Sequence, residues 1–209
     1  ILNFKANKEN LSVETSIEVY ENLTKKKSSD KYEFVYPNVK VLKTFNTNDS
    51  LNGKLSLATS GYQRTFNTNS EEQVLINNLL YESNSFVAEN GLKNIYKLEL
   101  KNVNSNAKKS TNYRNSRSNK LLSSFLLESS YPLKKDRDYY NSFLTPKISM
   151  RYSPNSTKNI SNTKRRLDVN NIFSLNRIGF NDAVEGGQSL TVGGEYKRAN
   201  KKNEDQLLL

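Results

Sequence analysis

The chain has 209 residues, with 32 basic and 21 acidic side chains and a formal net charge of +11. Hydrophobic residues make up 34% of it, against roughly half in ordinary globular chains, so a well-filled single core is not expected. Cysteine and histidine are absent, which excludes disulfide scaffolds, thiolate zinc sites, cysteine nucleophiles and histidine-dependent catalysis.

The two ends of the chain lack the usual marks of a complete protein. It begins at Ile1 without an initiator methionine and ends at Leu209 after a charged run. We therefore interpret it as a fragment of a longer protein, so that its missing signal peptide carries no information on compartment. Its uninterrupted apolar runs are too short for a transmembrane helix.

Alternation of apolar and polar residues is the main pattern along the chain. It begins at Leu11 and recurs from Leu51, Leu92, Leu144 and Leu190. Since successive side chains of a strand point to opposite faces, each segment has one apolar and one polar face. The alternation predicts about ten strands, near residues 1–6, 11–23, 32–45, 51–65, 73–83, 92–102, 119–131, 142–152, 165–175 and 187–197.

Two of these segments also fit a helix. Residues 70–73 resemble a helix-capping box ahead of the apolar residues 74–80, and apolar residues recur at helical spacing within 121–126. We predict strands at both places because the neighbouring segments are strands. The intervening polar stretches, such as 24–31, 103–118 and 153–164, are rich in the turn-forming residues Asn and Ser.

The lengths of the predicted strands favour a membrane barrel over a soluble β-sandwich. Many exceed the typical length of soluble strands and match the roughly 9–11 residues that cross a bilayer at a tilt. We therefore predict an all-β fold, an antiparallel transmembrane β-barrel of which this chain supplies part. Tyrosines near strand ends fit an interfacial aromatic girdle, although tyrosine is also simply a good strand residue: Tyr20, Tyr62, Tyr131, Tyr152 and Tyr196.

Four motifs in the last third of the chain occur in an order found in a known family. They are Thr145-Pro146-Lys147, residues 171–177 (NIFSLNR), residues 182–187 (DAVEGG) and residues 190–196 (LTVGGEY). With them the chain resembles LptD, the outer-membrane lipopolysaccharide-assembly family. The resemblance extends over about residues 32–197 and is specific within 142–197, and we take 1–209 as one partial barrel domain.

The resemblance implies lipopolysaccharide transport and assembly into the outer leaflet of the bacterial outer membrane, not enzymatic activity. The implied partners are lipopolysaccharide, outer-membrane lipid, an LptE-like lipoprotein plug and a periplasmic LptA-like bridge. It also marks a set of signature residues without assigning their roles: Asp168, Phe173, Asn176, Arg177, Asp182, Glu185 and Gly187. No cofactor or metal is expected.

Basic residues on the polar face are candidates for lining a passage for an anionic glycolipid, because cations bind phosphate. They are Lys93, Lys97, Lys101, Lys147 and Arg151. Basic residues occur throughout the chain and no nucleic-acid-binding motif accompanies them, so we predict no nucleic-acid partner. The carboxylates at 168, 182 and 185 lack a metal-ligand cluster, and we predict a lumenal or loop salt-bridge network that rigidifies the wall, with Arg177 paired to one of them.

The glycine pairs 186–187 and 193–194 lack the spacing of phosphate-binding loops and are expected to be structural, at a bend or a close backbone approach. Two alternatives to the transporter stay open at this point. One is another large outer-membrane barrel, a porin or receptor. The other is a secreted glycan-binding β-sandwich, which would bury Leu144, Ile148 and Met150 against a second sheet.

Overall fold

The structure is a computed structural model that describes residues 1–45, 47, 52–159 and 166–200, and the backbone of 206–208. These residues form strands, turns and irregular connections, without a helix. Over the same ranges, no helix has the length and apolarity needed to span a membrane.

Twelve strands are found among the described residues. They are β1 (Leu2–Lys8), β2 (Leu11–Glu21), β3 (Tyr32–Phe45), β4 (Gly53–Phe66), β5 (Glu71–Ser83), β6 (Phe86–Val87), β7 (Lys93–Lys108), β8 (Ser118–Ser130), β9 (Leu133–Asp136), β10 (Tyr140–Ser153), β11 (Gly187–Asn200) and β12 (Gln206–Leu208). Ten follow one path in the order β1-β2-β3-β4-β5-β7-β8-β10-β11-β12, while β6 pairs with β7 and β9 with β10. Each pair whose register is described is antiparallel, as predicted.

Most predicted strands are confirmed, and both segments that also fitted a helix are strands, β5 and β8. The strand predicted at 165–175 is wrong, because residues 166–186 form turns and irregular chain between β10 and β11. The predicted turn region 103–118 is also too long, since β7 continues to Lys108. The last residues of β7 alternate between Asn and small or apolar side chains. Because Asn is typical of turns, the alternation there is a weak strand signal, although the residues are paired in the sheet.

The chain divides into two compact units. Unit 1 contains residues 1–81 and 99–123, and unit 2 contains residues 82–98 and 124–209. In each unit one side of the strands carries the buried polar residues, and we call it the polar face. The other side is called the apolar face.

Unit 1 exposes apolar side chains and buries polar ones on alternate positions of a strand. In β7, Leu100 is exposed, whereas Glu99 and Lys101 on either side are buried. In β5, Leu75 is exposed and Glu72 is buried. This is the reverse of a soluble sheet, whose exposed face is polar.

Unit 2 shows the same reversal. Ile148 and Met150 of β10 are 43% and 50% exposed, whereas Ser149 and Arg151 are 3% and 2% exposed. In β11, Val192 is exposed beside the buried Thr191. A β-sandwich would bury Leu144, Ile148 and Met150, and all three are exposed, so the sandwich alternative is wrong.

A small apolar cluster lies on the polar face of unit 1. Val74 and Ile76 of β5 pack with Val103 of β7, and Tyr62, Tyr113 and Leu122 cover them. Since Tyr62 packs here, its predicted place in an interfacial aromatic girdle is wrong. Tyr20 is in phase with the buried Ser16 and donates its hydroxyl to Glu18, so it also lies on the polar face and its predicted place in the girdle is wrong. The girdle stays a prediction for Tyr131, Tyr152 and Tyr196.

Candidate functional site

The connection between β10 and β11 folds back onto the polar face of unit 2. Ile178, Ala183 and Val184 within it are buried. The connection contains six of the seven signature residues predicted from the sequence, and the seventh, Gly187, begins β11. We call the described residues 166–186 the signature loop.

Two guanidinium groups hold the carboxyl end of the signature loop through one carboxylate. The Arg151 side chain donates to the Glu185 carbonyl oxygen at 2.6 Å, and its Nη2 lies 3.2 Å from the Glu185 carboxylate. Arg177 donates Nε to the same carboxylate at 2.7 Å and Nη2 to its other oxygen. The side chains of Arg151 and Arg177 are 3% and 8% exposed. Such buried charges are tolerated because each cation has a hydrogen-bonded anionic partner.

A second contact joins the signature loop to β10 and β11. The Lys147 ammonium lies 5.1 Å from the centre of the Phe173 ring, within range of a cation–π interaction. Lys147 also pairs with Glu128 at 3.5 Å and Glu195 at 3.6 Å. A Cβ on Gly193 would lie 3.1 Å from the Phe173 ring, so glycine leaves space for the ring to approach.

Two further signature residues shape the loop itself. The Asp168 carboxylate accepts from the backbone N–H of Asn170 at 2.8 Å and fixes a turn. The Asn176 amide donates to the Phe180 carbonyl at 3.0 Å and accepts from Gly179 N–H at 3.1 Å.

The signature residue Asp182 pairs with a lysine, Lys158, that the sequence reasoning did not select, at 2.7 Å. The prediction that Arg177 pairs with one of the three carboxylates is confirmed at Glu185, whereas the contacts described here do not join all three into one network. Glu185 pairs with Arg177, while Asp168 and Asp182 each have other partners.

Backbone geometry explains the two glycines at the end of the loop, through close approach at Gly186 and a left-handed conformation at Gly187. A Cβ on Gly186 would lie 1.8 Å from the carbonyl oxygen of Asn155, so only glycine fits there. Gly187 has a φ of +84°, in the left-handed region that favours glycine. Both uses are structural, as expected.

The five candidate lumen-lining residues differ in accessibility. The side chains of Lys97 and Lys147 are 31% and 20% exposed, and Lys97 pairs with Glu82 at 3.0 Å. Lys101 and Arg151 are buried, and Lys101 lies 3.4 Å from Glu99. Lys93 is partly exposed at the start of β7. Their function as a lining stays a prediction.

Sequence reasoning missed a second loop site, on the polar face of unit 1. Glu72 is 2% exposed, and its carboxylate accepts from Ser110 Oγ and from Asn112 Nδ2 at 3.1 Å. Its other oxygen lies 3.3 Å from the Arg64 guanidinium. These bonds hold the β7–β8 connection, residues 109–117, whose Tyr113 covers the apolar cluster. The sequence contains a signal for this site, because Glu72 is in phase with the apolar Val74 and Ile76, but Glu72 also fits the pattern of a helix-capping box.

Among the described residues, no group of three or more acidic side chains is placed to hold a metal ion. The model of the family described as LptD, LPS transport system D, matches residues 2–208. No curated protein matches the chain.

Proposed function

This chain belongs to the LptD family, whose function is lipopolysaccharide transport and assembly in the bacterial outer membrane, and we propose that residues 1–209 form a section of the barrel wall. The family is one of transport and assembly and works with other components of the Lpt system. The proposal concerns how the strands and loops of this chain serve that function.

The observation that carries the proposal is the reversal of the two faces. Exposed Ile148 and Met150 alternate with buried Ser149 and Arg151 along β10. In water an exposed apolar row is unfavourable, but against acyl chains it is the stable arrangement, while polar residues line the interior. The strands β3, β4, β7 and β10 are also long enough to cross the hydrocarbon at a tilt. Outer-membrane lipid is accordingly the partner of the apolar face.

On the polar face, we assign different roles to the basic residues. Lys97 and Lys147 keep part of their side chains accessible, which supports contact with the phosphate groups of a passing lipopolysaccharide. Lys93, partly exposed, belongs with them. Lys101 and Arg151 are buried in ion pairs, so they act as positioning residues for the wall and the signature loop.

We further propose that the signature loop narrows the interior beside β10 and β11. Its support is the set of contacts from Glu185 to Arg151 and from Phe173 to Lys147. An LptE-like lipoprotein plug and a periplasmic LptA-like bridge are the partners that the family resemblance favours.

The test is charge neutralisation at the accessible lysines in the full-length protein. Lys97→Gln combined with Lys147→Gln should lower the lipopolysaccharide that reaches the cell surface and raise outer-membrane permeability to a large antibiotic. Lys134→Gln is the matched control, because its pair with Asp136 is exposed, at 54% and 60%, and contributes little. Unchanged surface lipopolysaccharide in the double variant, at equal protein level, would contradict the assigned lining role.

A further inference from the structure

Amide side chains interrupt the apolar face of unit 1 at one end of its strands. They occupy alternate positions of β7 and the facing positions of β4, β5 and β8, and we call them the amide ladder: Gln63, Gln73, Asn102, Asn104, Asn106 and Asn119. They share the side of exposed Leu75 and Leu100, since they are in phase with those residues.

Hydrogen bonds connect the ladder across the strands. Asn119 donates to Asn104 at 2.6 Å and accepts from Asn102 at 3.2 Å. Asn106 donates to Gln73 at 3.3 Å, and Gln73 lies 3.5 Å from Gln63. Each primary amide has two donor hydrogens and an acceptor oxygen, so these bonds leave further donors and acceptors at the exposed residues 63, 73, 106 and 119.

This composition places the ladder outside the hydrocarbon layer. An amide whose hydrogen-bonding capacity is unsatisfied costs several kcal/mol in an apolar medium. The ladder therefore belongs at the depth of the lipid headgroups, with the exposed leucines of β5 and β7 at the depth of the acyl chains.

The connections of unit 1 indicate which leaflet this is. At the ladder's end of the strands, the connections 22–31, 67–70 and 109–117 have ten, four and nine residues. At the other end the turn 9–10 has two residues and the β3–β4 connection has seven, so the connections of unit 1 are longer on average at the ladder's end. In outer-membrane barrels the longer loops are extracellular and the short turns periplasmic. The ladder accordingly faces the outer leaflet.

A groove of about 790 Å³ runs along the ladder. Val39 and Leu75 give it an apolar floor, and Arg117 adds a cation at its edge. Amides match the paired donor and acceptor character of sugar hydroxyls, and a guanidinium matches phosphate. The combination fits a phosphorylated saccharide attached to acyl chains.

We propose that the amide ladder binds the saccharide headgroup of lipopolysaccharide on the lipid-facing side of the wall, where it holds molecules already delivered to the outer leaflet. The inference rests on the proposed function, because that function puts lipopolysaccharide in this leaflet. It adds a binding surface on the face opposite the polar lining.

The experiment uses the full-length protein in nanodiscs of phosphatidylethanolamine and phosphatidylglycerol that contain fluorescent lipopolysaccharide. Gln73→Leu combined with Asn106→Leu should reduce retained lipopolysaccharide about fivefold, the effect of losing one or two net hydrogen bonds. Asn94→Leu is the matched control, because Asn94 lies near the start of β7 and accepts from Ser129 at 2.6 Å. Retention by this variant should equal that of the unmodified protein.

Competition identifies the ligand chemistry. The fully deacylated oligosaccharide of lipopolysaccharide should displace the fluorescent lipid, and glycerol phosphate should not. Equal retention by the double variant, an equal loss in the Asn94→Leu control, or equal displacement by glycerol phosphate would overturn the proposal. Delivery of lipopolysaccharide to the cell surface is measured separately with the lysine variants of the polar face, so failure of the ladder and failure of the proposed function give different results.

Discussion

The β7–β8 loop of unit 1 and the signature loop of unit 2 both fold onto a polar face, but different chemistry holds them. In unit 1 the strand supplies an anion, Glu72, and the loop supplies two neutral hydrogen-bond donors, Ser110 and Asn112. In unit 2 the strand supplies a cation, Arg151, and the loop supplies an anion, Glu185, which also pairs with Arg177 of the same loop. An apolar cluster supports the β7–β8 loop, whereas a cation–π contact between Phe173 and Lys147 supports the signature loop.

This difference determines how much of its hold on the polar face each loop loses when one hydrogen-bond or ion-pair partner is substituted. Water can replace a neutral donor at modest cost, so the Glu72 site tolerates rearrangement. The Glu185 site places one carboxylate between two guanidinium groups, and loss of that charge leaves two cations facing each other. We therefore expect the signature loop to be the more sharply positioned of the two.

The largest effect is expected from Glu185→Gln in the full-length protein. It removes the only charge shared by Arg151 and Arg177 in the contacts described above, and breaking a buried ion pair typically costs about 3 kcal/mol. Trypsin cleavage at Arg166 and Arg177 of the signature loop should become about 100-fold faster, as measured by limited proteolysis. Cleavage at the rate of the unmodified protein would show that these ion pairs do not hold the loop.

The same substitution at the other site, Glu72→Gln, should have a smaller effect. The amide oxygen still accepts from Ser110 or Asn112, and Arg64 keeps its pair with Glu33 at 2.8 Å, so about 1 kcal/mol should be lost. Trypsin cleavage at Lys109 and Arg114 reports release of this loop. If Glu72→Gln releases its loop as readily as Glu185→Gln releases the signature loop, the distinction between the sites is wrong.

The smallest effect is expected from Gly193→Ala. The added methyl lies 3.1 Å from the Phe173 ring and pushes it from Lys147, at a cost of about 1 kcal/mol or less. Since the chain has no cysteine, maleimide labelling of Ser174→Cys measures the change, and labelling should become faster. Gly194→Ala is the control, because its nearest neighbour would be the Thr145 carbonyl at 3.4 Å. Faster labelling in the control alone would contradict the assigned contact.

The sequence predicted the strands well because a two-residue period is a local property. It failed at 165–175, where the apolar Phe173 contacts Lys147 and approaches Gly193 from an irregular connection, so its place in an alternating pattern did not mark a strand. It also failed to predict the contacts of Tyr62 and Glu72. The two-residue alternation assigns each residue to one face of the sheet, but it does not show which loop covers that face.

The proline positions show the same limit. A proline cannot donate to the strand ladder, so it favours an edge, a bulge or a strand end. At Pro37 the β3–β4 register shifts, between Val35 and Asn38. Pro146 lies where β10 changes partner from β9 to β8. Proline in a strand indicates that pairing is interrupted near that residue. Which neighbouring strand is affected depends on the register of the sheet, and the local sequence pattern does not encode the register.

The most direct test of the central claim is a spin-label scan of β10 in the full-length protein in lipid bilayers. Labels at Leu144→Cys, Ile148→Cys and Met150→Cys should collide frequently with dissolved oxygen, which concentrates among acyl chains. Labels at Thr145→Cys, Lys147→Cys and Ser149→Cys should collide with it rarely. An alternating profile with maxima at 144, 148 and 150 is the predicted result, and a profile with maxima at 145, 147 and 149 would contradict a lipid-facing apolar row.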